Sequence, residues 1–124
     1  MPSFPQISDA EWDVMRTVWE NGPLTAGDVV RNLAGAKDWH PRTVKTLLSR
    51  LVKKGAVEMK ADGGRYLYKA RVSREACCRQ ESRSFLARVF DGAVTPALVH
   101  FIKQADLSKE DVDELKRILD KEGP

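Results

Sequence analysis

Apolar residues recur along most of this chain at intervals of three and four, and in one place the interval drops to two. Val14, Met15, Val18 and Trp19 mark the buried face of a first helix. Ser8-Asp9-Ala10-Glu11 opens it as a capping box, with Ser8 at the cap and Glu11 reaching back; Ile7 staples onto Trp12. Asn21-Gly22-Pro23 ends it. Leu24 predicts the start of a very short strand, and Thr25 caps a second helix that runs through Leu33 and turns Val29, Val30 and Leu33 inward. Gly35 and a polar turn around Lys37 and Asp38 lead into a third helix. There Val44, Leu47, Leu48, Leu51 and Val52 form one stripe, Pro41 suits the first turn and Gly55 suits the stop.

Beyond Gly55 the period changes. Residues 56–60 and 66–70 alternate apolar and polar, as strands do, around Ala61-Asp62-Gly63-Gly64-Arg65, whose Asp-Gly-Gly is a hairpin-turn signal. Helical spacing then returns. Ser73 predicts a cap for a helix over 74–90 that carries Phe85, Leu86, Val89 and Phe90 and ends at Gly92. Thr95 predicts the cap of a further helix, with Pro96 in its first turn and Leu98, Val99, Phe101 and Ile102 along it. Ser108 and Asp111 resemble a weaker cap before a last helix to Glu122, buried through Val112, Leu115, Ile118 and Leu119. The fold class is mainly α with a small β-hairpin: a winged helix-turn-helix domain over residues 1–72 and a helical dimerisation region over 73–124.

Charge sharpens this picture. Net charge is only +3, but residues 37–71 hold 10 basic against 3 acidic side chains, and residues 73–124 hold 9 against 10. The polar side of the third helix carries Arg42, Thr43, Lys45, Thr46, Ser49, Arg50 and Lys53, with no acidic residue. An ordinary exposed face mixes signs, because Glu–Lys pairs support a helix. A cationic, hydroxylated face suits phosphates and base edges, and a recognition helix offers its N-terminal residues to the bases. Lys60 and Arg65 flank the hairpin tip, where a wing meets the phosphate backbone. These nine residues are the candidate DNA contacts; the alternative is a solvated basic face, or a winged-helix module that binds protein.

The last fifty residues put many apolar side chains on short helices, and so small a segment rarely buries them alone. Burial against a second copy predicts a homodimer through Phe85, Leu86, Val89, Phe90, Leu98, Val99, Ile102, Val112, Leu115, Ile118 and Leu119; the alternative packs these helices back onto the first domain. There is no run of about 18 apolar residues and no secretory signal, which predicts a cytoplasmic protein without membrane insertion. Cys77 and Cys78 are adjacent and read as reduced, buried small hydrophobes rather than as a thiol or metal sensor. An enzyme is disfavoured: the two histidines, His40 and His100, lie on different segments, and no phosphate loop, H-E-x-x-H or nucleophile elbow appears. No cofactor or metal is expected.

The opening I-S-D-A-E-W-D-V-M-R-T-V-W resembles the I-S-x-A-E-W-x-V-M-x-x-x-W of the BlaI/MecI penicillinase and methicillin-resistance repressors. R-T-V-K-T-L-L-S-R-L-V-K-K-G resembles that family's recognition segment, and Y-L-Y its wing. The tail from Leu98 to Asp120 resembles its C-terminal region, so the likeness spans nearly the whole chain. It implies a dimeric repressor on palindromic operator DNA, controlling a β-lactam-resistance or related stress operon. It further implies release by proteolysis in the dimerisation region, under a membrane-bound sensor protease, at a bond matching His100–Phe101. The family has Asn before that Phe, and a capping Ser where this chain has His40. A copper-responsive branch ends in a C-x-C…C-x-C motif that is absent from K-R-I-L-D-K-E-G-P. A repressor of the same family answering to metal or redox signals is the alternative there.

Overall fold

The computed structural model describes residues 5–122 and divides the chain into two compact units, Met1–Gln80 and Glu81–Pro124. Three helices and a hairpin build the first unit: α1 (Asp9–Asn21), α2 (Ala26–Leu33), α3 (Pro41–Lys54), β1 (Val57–Asp62) and β2 (Arg65–Ala70). Ser8 and Glu11 close the expected box on α1, the Ser8 N–H donating to Glu11 Oε1 at 2.9 Å and the Glu11 N–H to Ser8 Oγ at 3.2 Å. Thr25 and Asp28 close a second box on α2 in the same way. Such caps satisfy N–H groups that a helix start leaves unpaired, each contributing about 1 kcal/mol.

The periodic residues meet in one core. Val14, Met15, Val29, Val44, Leu48, Leu51 and Val57 are fully buried, and Trp12, Trp19, Leu33 and Val52 are half-buried around them. Leu24 makes the short bridge expected of it: it exchanges two backbone hydrogen bonds with Tyr68, at 3.1 and 2.8 Å, and so ties the α1–α2 connection to the hairpin. The hairpin turn is tighter than the sequence predicts. Asp62 pairs with Arg65, leaving Gly63 and Gly64 as a two-residue turn with φ of 55° and 83°. Two consecutive residues in the left-handed region match the twist of the flanking strands, and glycine enters it without strain.

The helix α4 (Arg74–Phe90) starts on a Ser73 cap, whose Oγ accepts the Ala76 N–H at 3.0 Å, and crosses from the first unit into the second. The adjacent cysteines separate here. Cys77 is buried in the first unit's core, whereas Cys78, 100° further round the helix, is exposed, which corrects the expectation that both are buried.

The second unit holds the rest of α4, α5 (Val94–Gln104) and α6 (Lys109–Glu122). Asp91 and Gly92, both at positive φ, close α4, and the Gly92 N–H donates to Leu86 O at 3.0 Å. Ala93 then stands extended at the cap of α5, without a side-chain bond. Thr95 therefore does not cap α5. It lies inside the first turn, where Pro96 is equally tolerated, so the proline did not mark the start closely. Ser108 and Asp111 exchange two hydrogen bonds at the start of α6. Phe85, Phe90 and Phe101 cluster with ring centroids 6.0 to 6.2 Å apart. Apart from Ala97, no described apolar residue of this unit is fully buried. Phe85, Leu86, Phe90 and Val112 are half-buried, and Val89, Leu98, Val99, Ile102, Leu115, Ile118 and Leu119 are exposed.

Candidate nucleic-acid interface

The third helix presents two faces of opposite character. Val44, Leu47, Leu48 and Leu51 are buried, while Arg42, Thr43, Lys45, Thr46, Ser49, Arg50 and Lys53 are all exposed. His40 caps it: the ring Nδ1 accepts the Arg42 N–H at 3.0 Å, so this histidine does the work of a capping hydroxyl. With Nδ1 as acceptor, the neutral ring carries its proton on Nε2. Thr46 Oγ1 donates to Arg42 O at 3.0 Å, which leaves the hydroxyl oxygen free to accept. At the other end Gly55, at φ 82°, donates to Val52 O and closes the helix.

The two wing residues have different surroundings. Cross-strand partners share a face, so Glu58 with Lys69, Lys60 with Leu67 and Asp62 with Arg65 stand on one side, and Met59 with Tyr68 and Ala61 with Tyr66 on the other. Lys60 lines a depression of about 360 Å³ with Pro23, Glu58, Asp62, Leu67 and Lys69. Mixed charge surrounds it there: Glu58 pairs with Lys69 at 3.8 Å and Asp62 with Arg65 at 3.9 Å. Arg65, at the tip, also reaches a groove of about 470 Å³ beside α3. Lys45, Ser49, Tyr66 and Tyr68 line that groove, together with Thr25, Ala26 and Gly27 at the start of α2. The structure thus brings Lys45, Ser49 and Arg65 together and leaves Lys60 outside.

The groove contains residues that the sequence reading missed. Thr25-Ala26-Gly27-Asp28 is a capping-box string whose free N–H groups mark the positive end of a helix dipole. Asp28 belongs to that cap. Bonds from the Thr25 N–H and hydroxyl, and then the Arg31 guanidinium, hold its carboxyl below the ordinary range. The Y-L-Y alternation puts both tyrosines on one face of β2, which is the signal that finds them.

An exposed, acid-free helix beside a basic groove and a hairpin is a surface shaped for duplex DNA. The penicillinase repressor family profile matches residues 7–121. The chain belongs to the penicillinase repressor family. It is 33% identical to the penicillinase repressor of Bacillus licheniformis over 120 residues, covering 97% of this chain and 94% of that protein. It is also 33% identical to the methicillin resistance regulatory protein MecI of Staphylococcus aureus, over 94% of both chains. Among solved structures, the monomeric form of Bacillus licheniformis BlaI in complex with the blaP half-operator is 35% identical. It covers 60% of this chain and 92% of that one, with a TM-score of 0.53. As a member of that family, this chain is a DNA-binding transcriptional repressor.

The bond between His100 and Phe101 and the thiol of Cys77 have defined surroundings. The His100–Phe101 bond lies inside α5, with the His100 and Phe101 rings 6.0 Å apart and Phe90 6.0 Å from His100. The thiol of Cys77 is pushed up by burial and then by its neighbour Cys78, so at neutral pH it is protonated and a poor nucleophile. Among the described residues no three His, Cys, Asp or Glu side chains assemble as a metal site. No single described helix is long and apolar enough to cross a membrane.

Proposed function

We propose that this repressor acts as a homodimer that lays two copies of α3 into successive major grooves of a palindromic operator. The observation that carries this reading is the α3 surface itself, whose buried stripe and acid-free exposed face are cleanly divided. Arg42, Thr43, Lys45 and Thr46 meet base edges or adjacent phosphates near the helix start; Ser49, Arg50 and Lys53 follow the backbone. Arg65 holds a flanking phosphate from the groove. Lys60, outside that groove and lining a depression with Glu58, Asp62 and Lys69, keeps at most a long-range electrostatic role.

Residues 73–124 supply the dimer contact. The exposed apolar side chains of α5 and α6 support this: Leu98, Val99, Ile102, Ile118 and Leu119 are each at least 44% exposed in the single chain. Covering such surface is the strongest available gain for a unit that buries little by itself. The regulated genes belong to β-lactam resistance or a related stress response, a reading supported by what the relatives are named for. Cleavage at His100–Phe101 by a membrane-bound sensor protease would end repression, and that bond must first leave the helix, because a protease cleft takes extended chain.

The deciding experiment is fluorescence anisotropy of the full chain against duplex from upstream of its own gene, at two salt concentrations, with scrambled duplex and an Arg42→Glu variant as controls. The proposal expects tight, salt-sensitive binding that both controls lose; equal weak binding to every duplex refutes it. Analytical ultracentrifugation tests the dimer: Leu119→Glu sediments as a monomer while the wild type does not.

A further inference from the structure

The helix α3 ends in two adjacent lysines whose roles differ completely. Lys53 follows Thr46, Ser49 and Arg50 at helical spacing and continues the polar face. Lys54 follows Leu47 by seven residues and Leu51 by three, so it lies at the solvent edge of the side of α3 that packs on α1, and its side chain stays 36% exposed. From that edge it reaches a buried carboxylate, and a buried charge must be partnered. The Lys54 Nζ donates to Glu11 Oε1 at 2.5 Å and to Gln6 O at 2.8 Å. Glu11 is 1% exposed, its Oε1 also takes the Ser8 N–H, and its Oε2 is buried without a hydrogen-bond partner. Lys54 is the cation that partners this buried carboxylate.

We infer that Lys54 is a positioning residue: with Glu11 and Gln6 it fixes the seat of the recognition helix against the start of α1, and it does not touch DNA. This inference rests on α3 being the base-reading element. The ion pair sits at the C-terminal end of α3, whose first turn, residues 41–44, carries Arg42 and Thr43 about three turns away. A helix pivoting at that end moves its far end most. Base-edge hydrogen bonds need close geometry, whereas phosphate attraction tolerates small displacements. Loss of the pair should therefore erode discrimination between sequences and spare general attraction to DNA.

The test uses the full chain with the duplex that the wild type enriches from a random pool, and a scrambled duplex of equal length. Lys54→Met keeps the aliphatic stem, Lys54→Arg restores the charge, and Glu11→Gln/Lys54→Met removes both charges so that no buried carboxylate is stranded. Affinities are read under conditions where each variant is fully folded by circular dichroism. The inference expects the ratio of specific to scrambled affinity to fall about tenfold in Lys54→Met and in the double variant, comparable to one lost base contact. Scrambled affinity and the dependence on salt stay unchanged, and Lys54→Arg recovers the ratio. An unchanged ratio with only a lower melting temperature would make the pair purely structural and overturn the inference. Equal weakening on both duplexes with a salt slope shallower by about 0.9 per copy would make Lys54 a phosphate contact and also overturn it. Failure of the wild type to enrich any duplex would instead remove the reading of α3 itself.

Discussion

Neutralising Lys45 and Lys60 separately gives the most direct test of which basic side chains face DNA. Both lie in the basic stretch of the sequence, yet Lys45 lines the groove with Ser49 and Arg65 while Lys60 lies outside it, in a depression it shares with Glu58 and Asp62. Each phosphate that a lysine neutralises contributes about 0.9 to the slope of log affinity against log salt. In a dimer, Lys45→Gln removes two equivalent contacts and makes the slope shallower by about 1.8. Over a fourfold rise in salt the wild type then loses about twelvefold more affinity than the variant. Lys60→Gln removes a charge already flanked by carboxylates and leaves the slope within error of the wild type. Fluorescence-anisotropy titrations at four or more salt concentrations measure both. If Lys60→Gln flattens the slope as much as Lys45→Gln does, the exclusion of Lys60 from the DNA-facing groove is wrong.

Three further outcomes follow from individual contacts. His40→Ala removes the Nδ1 acceptor at the start of α3 and should lower stability by about 1 kcal/mol in urea denaturation, whereas His40→Asn retains it. Burial alone would raise the Glu11 carboxyl, but the hydrogen bonds and charge of Lys54, with those of Ser8, outweigh it and hold the group below its usual 4.5. The stability this contributes is complete above the unfolded value and is lost as pH falls through the lower folded one. Glu11→Gln should accordingly flatten the acid side of the stability profile, read from denaturation midpoints between neutrality and pH 3. A maleimide probe should label Cys78 in the native protein and Cys77 only after unfolding; equal native rates would contradict the packing of α4.

Much of this protein is determined locally and was therefore legible in its sequence. The Ser8 cap, the stripe from Val44 to Leu51, the stop at Gly55 and the turn at Gly63-Gly64 each depend on residues within a few positions of one another. Backbone sterics and helical or strand periodicity act at that range, and they are the same in any fold. The acid-free face of α3 was legible for the same reason: once the buried stripe is known, the other face is known too.

Tertiary structure decided everything that depends on which side of an element meets another. Only the packing of the hairpin tip beside α3 puts Arg65 in one groove with Lys45 and leaves Lys60 outside it. Only the first unit's core buries Cys77 and leaves Cys78 in solvent. Lys53 and Lys54 look alike in the string K-K, and it is Glu11, 43 residues earlier, that engages one of them in an ion pair. Such choices rest on contacts between residues far apart in the chain, and a charge or thiol takes its chemistry from those neighbours.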